Sequence, residues 1–229
     1  LVPLVVVLAV GCVFFLFQGR TGHLVGIALL SAGLAWALPA RLRLAAFLMP
    51  LLVVVGIGMA SPKVQNRFQE VRAEVSSFTQ SGNTKTSSGT RLDFWQRSLQ
   101  AIAQRPFLGW GAGGWNTAYD SFQVRDADFK PTRGNPHQEY LLWGVELGAV
   151  GIIMLLAVLI AIAIESRKMS IPIQRAQQSV LLAVAISGLF NCSLYDALSG
   201  DYLCIALGLV RCVGLTSPVN GTAAVMNRR

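Results

Sequence analysis

Residues 135–164 read NPHQEYLLWGVELGAVGIIMLLAVLIAIAI, and the change of character within that stretch decides the fold. Asn135, Pro136, His137 and Gln138 close a long polar region, whereas from Leu141 to Ile164 Glu146 is the only charged residue. At about 1.5 Å per residue a helix over that run is long enough to cross a hydrocarbon core of about 30 Å. A titratable imidazole is thereby placed at a membrane surface.

The rest of the chain repeats this pattern. Hydrophobic residues make up 53% of it and charged ones 13%, and the apolar residues are gathered in runs instead of being spread at amphipathic spacing. Six segments can be drawn, at 1–17, 24–38, 44–60, 140–164, 176–193 and 202–216, the second short for a full span. Helices of a soluble core would need polar outward faces, and stretches such as 1–17 and 149–164 have none. The expected fold is an all-α integral membrane protein with about six transmembrane helices and one long periplasmic loop containing short amphipathic helices. Residues 1–60 would form three spans with a short periplasmic Arg loop at 18–23, and 61–137 the long loop region. Three more spans would follow in 138–216, then a cytoplasmic tail at 217–229. Leu1 starts inside a hydrophobic run with no Met before it, which suggests the C-terminal part of a longer protein. A cleaved signal peptide explains too little, because later runs are equally apolar.

The net charge of +8 does not mark a nucleic-acid binder, since the basic residues neither form one block nor interleave with aromatics. Membrane topology and anionic lipids account for it better. Arg41 and Arg43, then Arg167, Lys168 and Arg175, then Arg228 and Arg229 fall where six alternating crossings put them together on the cytoplasmic side. The opposite side receives 18–23, 61–137 and 194–201, and with them Arg20, His23, Asp196 and Asp201. Cys12, Cys192, Cys204 and Cys212 lie in apolar runs without zinc or disulfide spacing and read as small buried residues.

The long region is too patterned for a linker. Residues 64–75 and 91–102 each gather apolar side chains on one side, Leu92, Trp95, Leu99 and Ile102 in the second, as helices lying on a membrane or on other helices would. Between them the Ser, Thr and Gly content of 76–90 predicts a mobile loop. Thr90 is a plausible N-cap with Asp93 as its capping-box acid, which would put Arg91 in a first turn, where backbone donors also favour an anion. Pro106 and the glycines after it would end this helix and force a tight turn. That glycine cluster lacks the Gly-Lys-Ser/Thr ending of a nucleotide loop.

Several residues have two readings. Arg20, in Gln18-Gly19-Arg20-Thr21-Gly22, could grip a phosphate or carboxylate with its fork of donors, or simply snorkel to headgroups. His137 could be structural at a helix entrance or catalytic. Glu139 and Glu146 are seven apart and so share a helix face, with Glu146 about 13 Å beyond His137 at helical rise. An ionisable group at that depth has a partner or lines a polar cavity. Asp196 and Asp201 could orient a substrate, pair with Arg20 or Arg91, or be solvated in a loop.

His137-Gln138, nine residues, then Gly148-Ala149-Val150-Gly151 at the start of a transmembrane helix resembles the bacterial O-antigen ligase family. That family also includes O-antigen polymerases and protein O-oligosaccharyltransferases. Gln18-Gly19-Arg20-Thr21-Gly22 and Thr90-Arg91-Leu92-Asp93-Phe94-Trp95 are similar to the two family segments that each carry an essential Arg. Arg105-Pro106-Phe107-Leu108-Gly109-Trp110-Gly111 is similar to its Arg-Pro-x-x-Gly-x-Gly signature. The likeness covers about residues 15 to 155 in the expected order and corresponds to the C-terminal half of the family. Ile152-Ile153 departs from the Thr-Val that ligases often carry after the second Gly.

The resemblance implies transfer of a finished glycan from undecaprenyl diphosphate to an acceptor hydroxyl, at the periplasmic face of the bacterial inner membrane. Arg20 and Arg91 would bind the diphosphate and His137 would act as base. Glu139, Glu146, Asp196 and Asp201 would support the site or the acceptor. Such a reaction needs charge stabilisation on the leaving group and a base near the hydroxyl. Since the donor is already activated, no cofactor, nucleotide or metal is expected. The first expectation is a ligase that joins O-antigen to lipid A core. The alternatives are a polymerase or protein O-oligosaccharyltransferase with the same chemistry, or, in another class, a transporter of lipid-linked saccharides that binds the diphosphate without reacting.

Overall fold

The computed structural model describes residues 20–122 and 134–216, so the predicted span at 1–17 and the tail at 217–229 lie outside the described residues. Among the described residues there are helices and no strands. They are α1 (Arg20–Ala37), α2 (Arg43–Ala60) after a 3-10 turn at Ala40–Leu42, α3 (Pro62–Ser81), α4 (Ser87–Gln104), α5 (Trp115–Ser121), α6 (Glu139–Ser166), α7 (Ile171–Gly188) and α8 (Ala197–Thr216). Helices thus stand at five of the six apolar segments. Two of them, α6 and α8, are long and apolar enough to cross a membrane, and α1 contains a shorter apolar stretch, Thr21–Ala37. The α7 helix is less apolar because Gln174, Arg175, Gln177 and Gln178 fill its first turns.

Only 17% of the apolar window of α6 and 6% of that of α8 is buried, where the core helix of a soluble protein would be mostly covered. Ile153, Met154, Val158 and Ile160 on α6 and Ile205 and Leu209 on α8 face outward, and so do Leu44, Phe47, Leu51 and Leu52 on α2. An apolar surface of this kind is matched to lipid and not to water. Cys192 is buried as its sequence setting suggested, but Cys204 and Cys212 are exposed among the outward side chains of α8.

The chain divides into two compact units, one of Leu30–Ile152 and one joining Leu1–Leu29 to Ile153–Arg229. In the first, Pro62 opens α3 at a position where its missing N–H costs nothing. Gly82, with φ 66°, closes the helix by donating its N–H to the Phe78 carbonyl at 2.8 Å. The α4 helix then starts at once: Thr86 caps it by accepting from the Gly89 N–H at 3.0 Å, and the Ser88 N–H reaches Glu74 Oε2 on α3 at 3.2 Å.

This corrects two expectations. The loop predicted at 76–90 shrinks to residues 82–86, because the Ser and Thr side chains cap and cross-brace the turn; Thr90, for instance, donates to the Thr84 carbonyl at 2.7 Å. The cap is Thr86 and not Thr90, so Arg91 stands beyond the first turn and Asp93 caps nothing.

The α6 helix is broken at Gly148, whose φ of 65° and ψ of −153° only glycine adopts readily. The turn after α4 bonds to the main chain on both sides of the break. Trp110 and Gly111 donate their N–H groups to the carbonyls of Val145 and Glu146, both at 2.8 Å. In return Ala149 and Val150 donate to the carbonyls of Pro106 and Phe107, at 2.7 and 3.4 Å. The turn thus makes four hydrogen bonds to the main chain on the two sides of the break, which is how irregular backbone survives in an apolar setting. Gly109 permits the approach: a Cβ there would meet the Glu146 carbonyl at 2.5 Å.

In the second unit α7 packs on α8. The turn before α8 is fastened where Asn191 Nδ2 donates to Thr21 Oγ1 at 3.0 Å.

Candidate functional site

His137 lies two residues before α6 in a left-handed backbone conformation, φ 51°, the one non-glycine residue with positive φ among those described. For a residue with a Cβ this costs of order 1–3 kcal/mol and persists only where surroundings fix it. Three contacts fix it here. The side chain of buried Asn135 accepts the His137 N–H at 2.9 Å, closing an Asx turn. Trp95 Nε1 donates to the carbonyl of Pro136 at 3.2 Å. The imidazole is stacked over Phe94, with ring centroids 6.4 Å apart and planes 22° from parallel. The result is an exposed imidazole on a rigid turn.

Both clamping aromatics belong to α4, which also carries Arg91. Arg91 is half-buried and stands one turn before Trp95, so the two share a helix face with Cβ atoms about 5–6 Å apart. The structure therefore brings Arg91 and His137 into one unit through Trp95 and Phe94. Leu92, Trp95 and Leu99 also line an open, mainly apolar groove of about 610 Å³ against Val75 and Phe78 of α3.

The platform is held from behind. Phe94 meets Trp115 and Tyr119 of α5 edge-on, at 5.2 and 5.3 Å between centroids, and Trp115 Nε1 donates to Ser98 Oγ at 3.0 Å. Asp93 accepts from Arg97 Nε at 2.8 Å and from the Tyr119 hydroxyl, while the Arg97 guanidinium lies 4.9 Å over the Tyr119 ring. Asp93 thus ties α4 to α5 and is not a cap. These supports were missed in the sequence, although the spacing of Arg91, Trp95 and Asp93, Arg97 at four residues was a signal for two opposite faces of one helix.

The remaining predicted residues fall in two groups. Glu139 opens α6, is 3% exposed, and accepts from Trp143 Nε1 at 3.0 Å, one turn along the same helix. Glu146 is half-buried, and its main-chain carbonyl is the one bound by Gly111. Arg20, Asp196 and Asp201 belong to the other unit. Arg20 is the first residue of α1 and not a member of a loop, and His23 follows in the same helix; the Arg20 side chain is outside what is described. Asp196 precedes α8 and Asp201 lies within it, so the loop predicted at 194–201 is shorter than expected; both carboxylates are exposed. Among the described residues no three His, Cys, Asp or Glu side chains are grouped to share a cation. A guanidinium and a clamped imidazole carried by one scaffold supply the two groups needed to hold an anion and to accept a proton.

Comparison with known proteins gives two results. A family model described as O-Antigen ligase matches residues 4–156. An uncharacterized protein of Haemophilus influenzae is 31% identical over 122 residues, a match covering 48% of this chain. The match spans 30% of that relative's own length.

Proposed function

The chain belongs to the O-antigen ligase family, and on that premise we propose that it transfers a finished glycan from undecaprenyl diphosphate to an acceptor hydroxyl. The proposed glycan is O-antigen, the acceptor is lipid A core, and the reaction runs on the periplasmic face of a bacterial inner membrane.

In this reading the acceptor oxygen attacks the anomeric carbon as the bond from that carbon to the diphosphate oxygen breaks. The hydroxyl proton passes to a neutral imidazole nitrogen of His137, and the leaving diphosphate keeps the bonding pair. Arg91, with Arg20, offsets the charge that grows there, as donors aimed at a leaving group must. Permanently charged guanidiniums let the reaction proceed without a metal. The apolar groove beside Leu92 is consistent with a lipid-linked donor. Glu139, Glu146, Asp196 and Asp201 are proposed as supporting residues, with the buried Glu139 bracing the start of α6 through Trp143.

The observation that supports this most is the joining of His137 to the Arg91 helix by the Trp95–Pro136 hydrogen bond and the Phe94 stack. The deciding experiment is analysis of lipopolysaccharide and glycoproteins from a deletion strain. The ligase reading expects lipid A core without O-antigen and accumulation of the lipid-linked chain. Lipopolysaccharide capped by a single repeat would make the protein a polymerase. Normal ladders with an unglycosylated secreted protein would make it a protein O-oligosaccharyltransferase. Loss of donor translocation, with no transfer by purified components, would make it a transporter.

A further inference from the structure

We propose that the turn from Arg105 to Gly111 is a membrane-inserted wedge, with Phe107 and Leu108 among the acyl chains of the leaflet that α6 enters at its Glu139 end. Three observations lead there.

The first is depth. Residues 149–164 are sixteen consecutive apolar residues, followed by Glu165, Arg167 and Lys168. As helix they cover about 24 Å, short of a hydrocarbon core of about 30 Å. Tilt would widen the shortfall. With Glu165, Arg167 and Lys168 at the far headgroups, the break at Gly148 and the turn of helix before it lie at or inside the opposite hydrocarbon boundary. The 105–111 turn is bonded to this break by four hydrogen bonds, so it reaches the same depth.

The second is exposure. Phe107 and Leu108 are each 75% exposed, although Phe107 is bonded through its carbonyl to Val150 and its backbone lies against Gly148. Their backbone is buried on α6 and their side chains project away from it.

The third is the company of the tip. The Arg105 guanidinium lies 4.3 Å over the Trp110 ring, and Trp110 Nε1 donates to the Ala101 carbonyl at 3.0 Å, so a paired Arg and Trp flank the two apolar side chains. Arg and Trp beside an apolar tip are the residue types of an interfacial anchor. The occupant is lipid, because the tip carries no polar side chain that a soluble partner would need to orient on.

The test places a nitroxide on Phe107→Cys and on Leu108→Cys in the complete protein, with its native cysteines replaced, in phospholipid nanodiscs. Accessibility to oxygen and to a water-soluble nickel chelate is compared with the exposed Lys85→Cys. The wedge predicts oxygen accessibility above nickel accessibility at 107 and 108, and the reverse at 85. Nickel accessibility equal to that at 85, or exclusion of both probes by covering protein, overturns it. If the cysteine replacements prevent folding, benzophenylalanine at 107 in otherwise native protein decides the matter. Phospholipid adducts support the wedge, and adducts only within the protein or none overturn it.

Discussion

The indole of Trp95 holds the carbonyl of Pro136 at 3.2 Å, and through that bond the helix carrying Arg91 sets the position of the next residue, His137. Trp95→Phe keeps the ring and deletes the donor, at a cost of about 1 kcal/mol in stability. If the bond positions a base, transfer should fall about tenfold or more, since small displacements of reacting groups are costly. Donor KM should stay within about twofold. Steady-state kinetics in detergent measure both; unchanged kcat would show that the bond serves folding alone.

Arg91 can be tested by conservative replacement. A guanidinium grips two oxygens of a phosphate where an ammonium offers a point charge. Arg91→Lys should therefore weaken binding of the diphosphate-linked donor, and Arg91→Ala should weaken it further, without lowering the melting temperature. Equilibrium binding of a fluorescent donor, alongside thermal unfolding, separates the two effects.

Gly148 and Gly109 should be the least replaceable glycines in the turn-and-helix interlock. A Cβ on Gly148 would lie 2.4 Å from the Phe107 carbonyl carbon, and one on Gly109 2.5 Å from the Glu146 carbonyl; Gly111, at φ 96°, opens onto free space. Gly148→Ala combines backbone strain with displaced hydrogen bonds, about 3 kcal/mol or more. Gly111→Ala carries strain alone. Thermal unfolding should rank Gly148→Ala and Gly109→Ala well below Gly111→Ala, and equal losses would contradict the interlock.

Asp93→Ala should act on the fold. It takes the carboxylate from the Tyr119 hydroxyl and from Arg97, which keeps its bond to the Phe122 carbonyl and its contact with the Tyr119 ring. Breaking a largely buried ion pair costs about 3 kcal/mol. Activity should fall in proportion to the folded fraction, as circular dichroism and rate measurements on the same preparation would show. Loss of rate with an unchanged melting temperature would assign Asp93 a direct part in the reaction.

Apolar runs announced the helices because a span must be apolar over its whole length, a requirement legible without tertiary information. Boundaries were less legible. Ser and Thr between Gly82 and Thr90 suggested a loop by composition, yet their side chains cap and brace, so helix extends to Ser81 and resumes at Ser87. Arg20 and Asp201, read as loop residues, fall within helices for the same reason: polarity at a span's end does not require the backbone to unwind. Arg91 and His137 were legible as types at a place. What joins them, Trp95 to Pro136 and Phe94 under the imidazole, links residues about 40 apart in sequence and could be found only in the fold. The break at Gly148 was equally hidden, since Gly in an apolar run is ordinary until its dihedrals are known.

The most direct measurement of the central claim is glycan transfer by the complete purified protein carrying His137→Ala, with undecaprenyl-diphosphate-linked O-antigen as donor and lipid A core as acceptor, alongside donor binding. The account predicts normal donor binding and transfer reduced at least a hundredfold, the order expected for loss of a general base. Transfer at the unsubstituted rate would show that His137 is not the base and would contradict the mechanism at its centre.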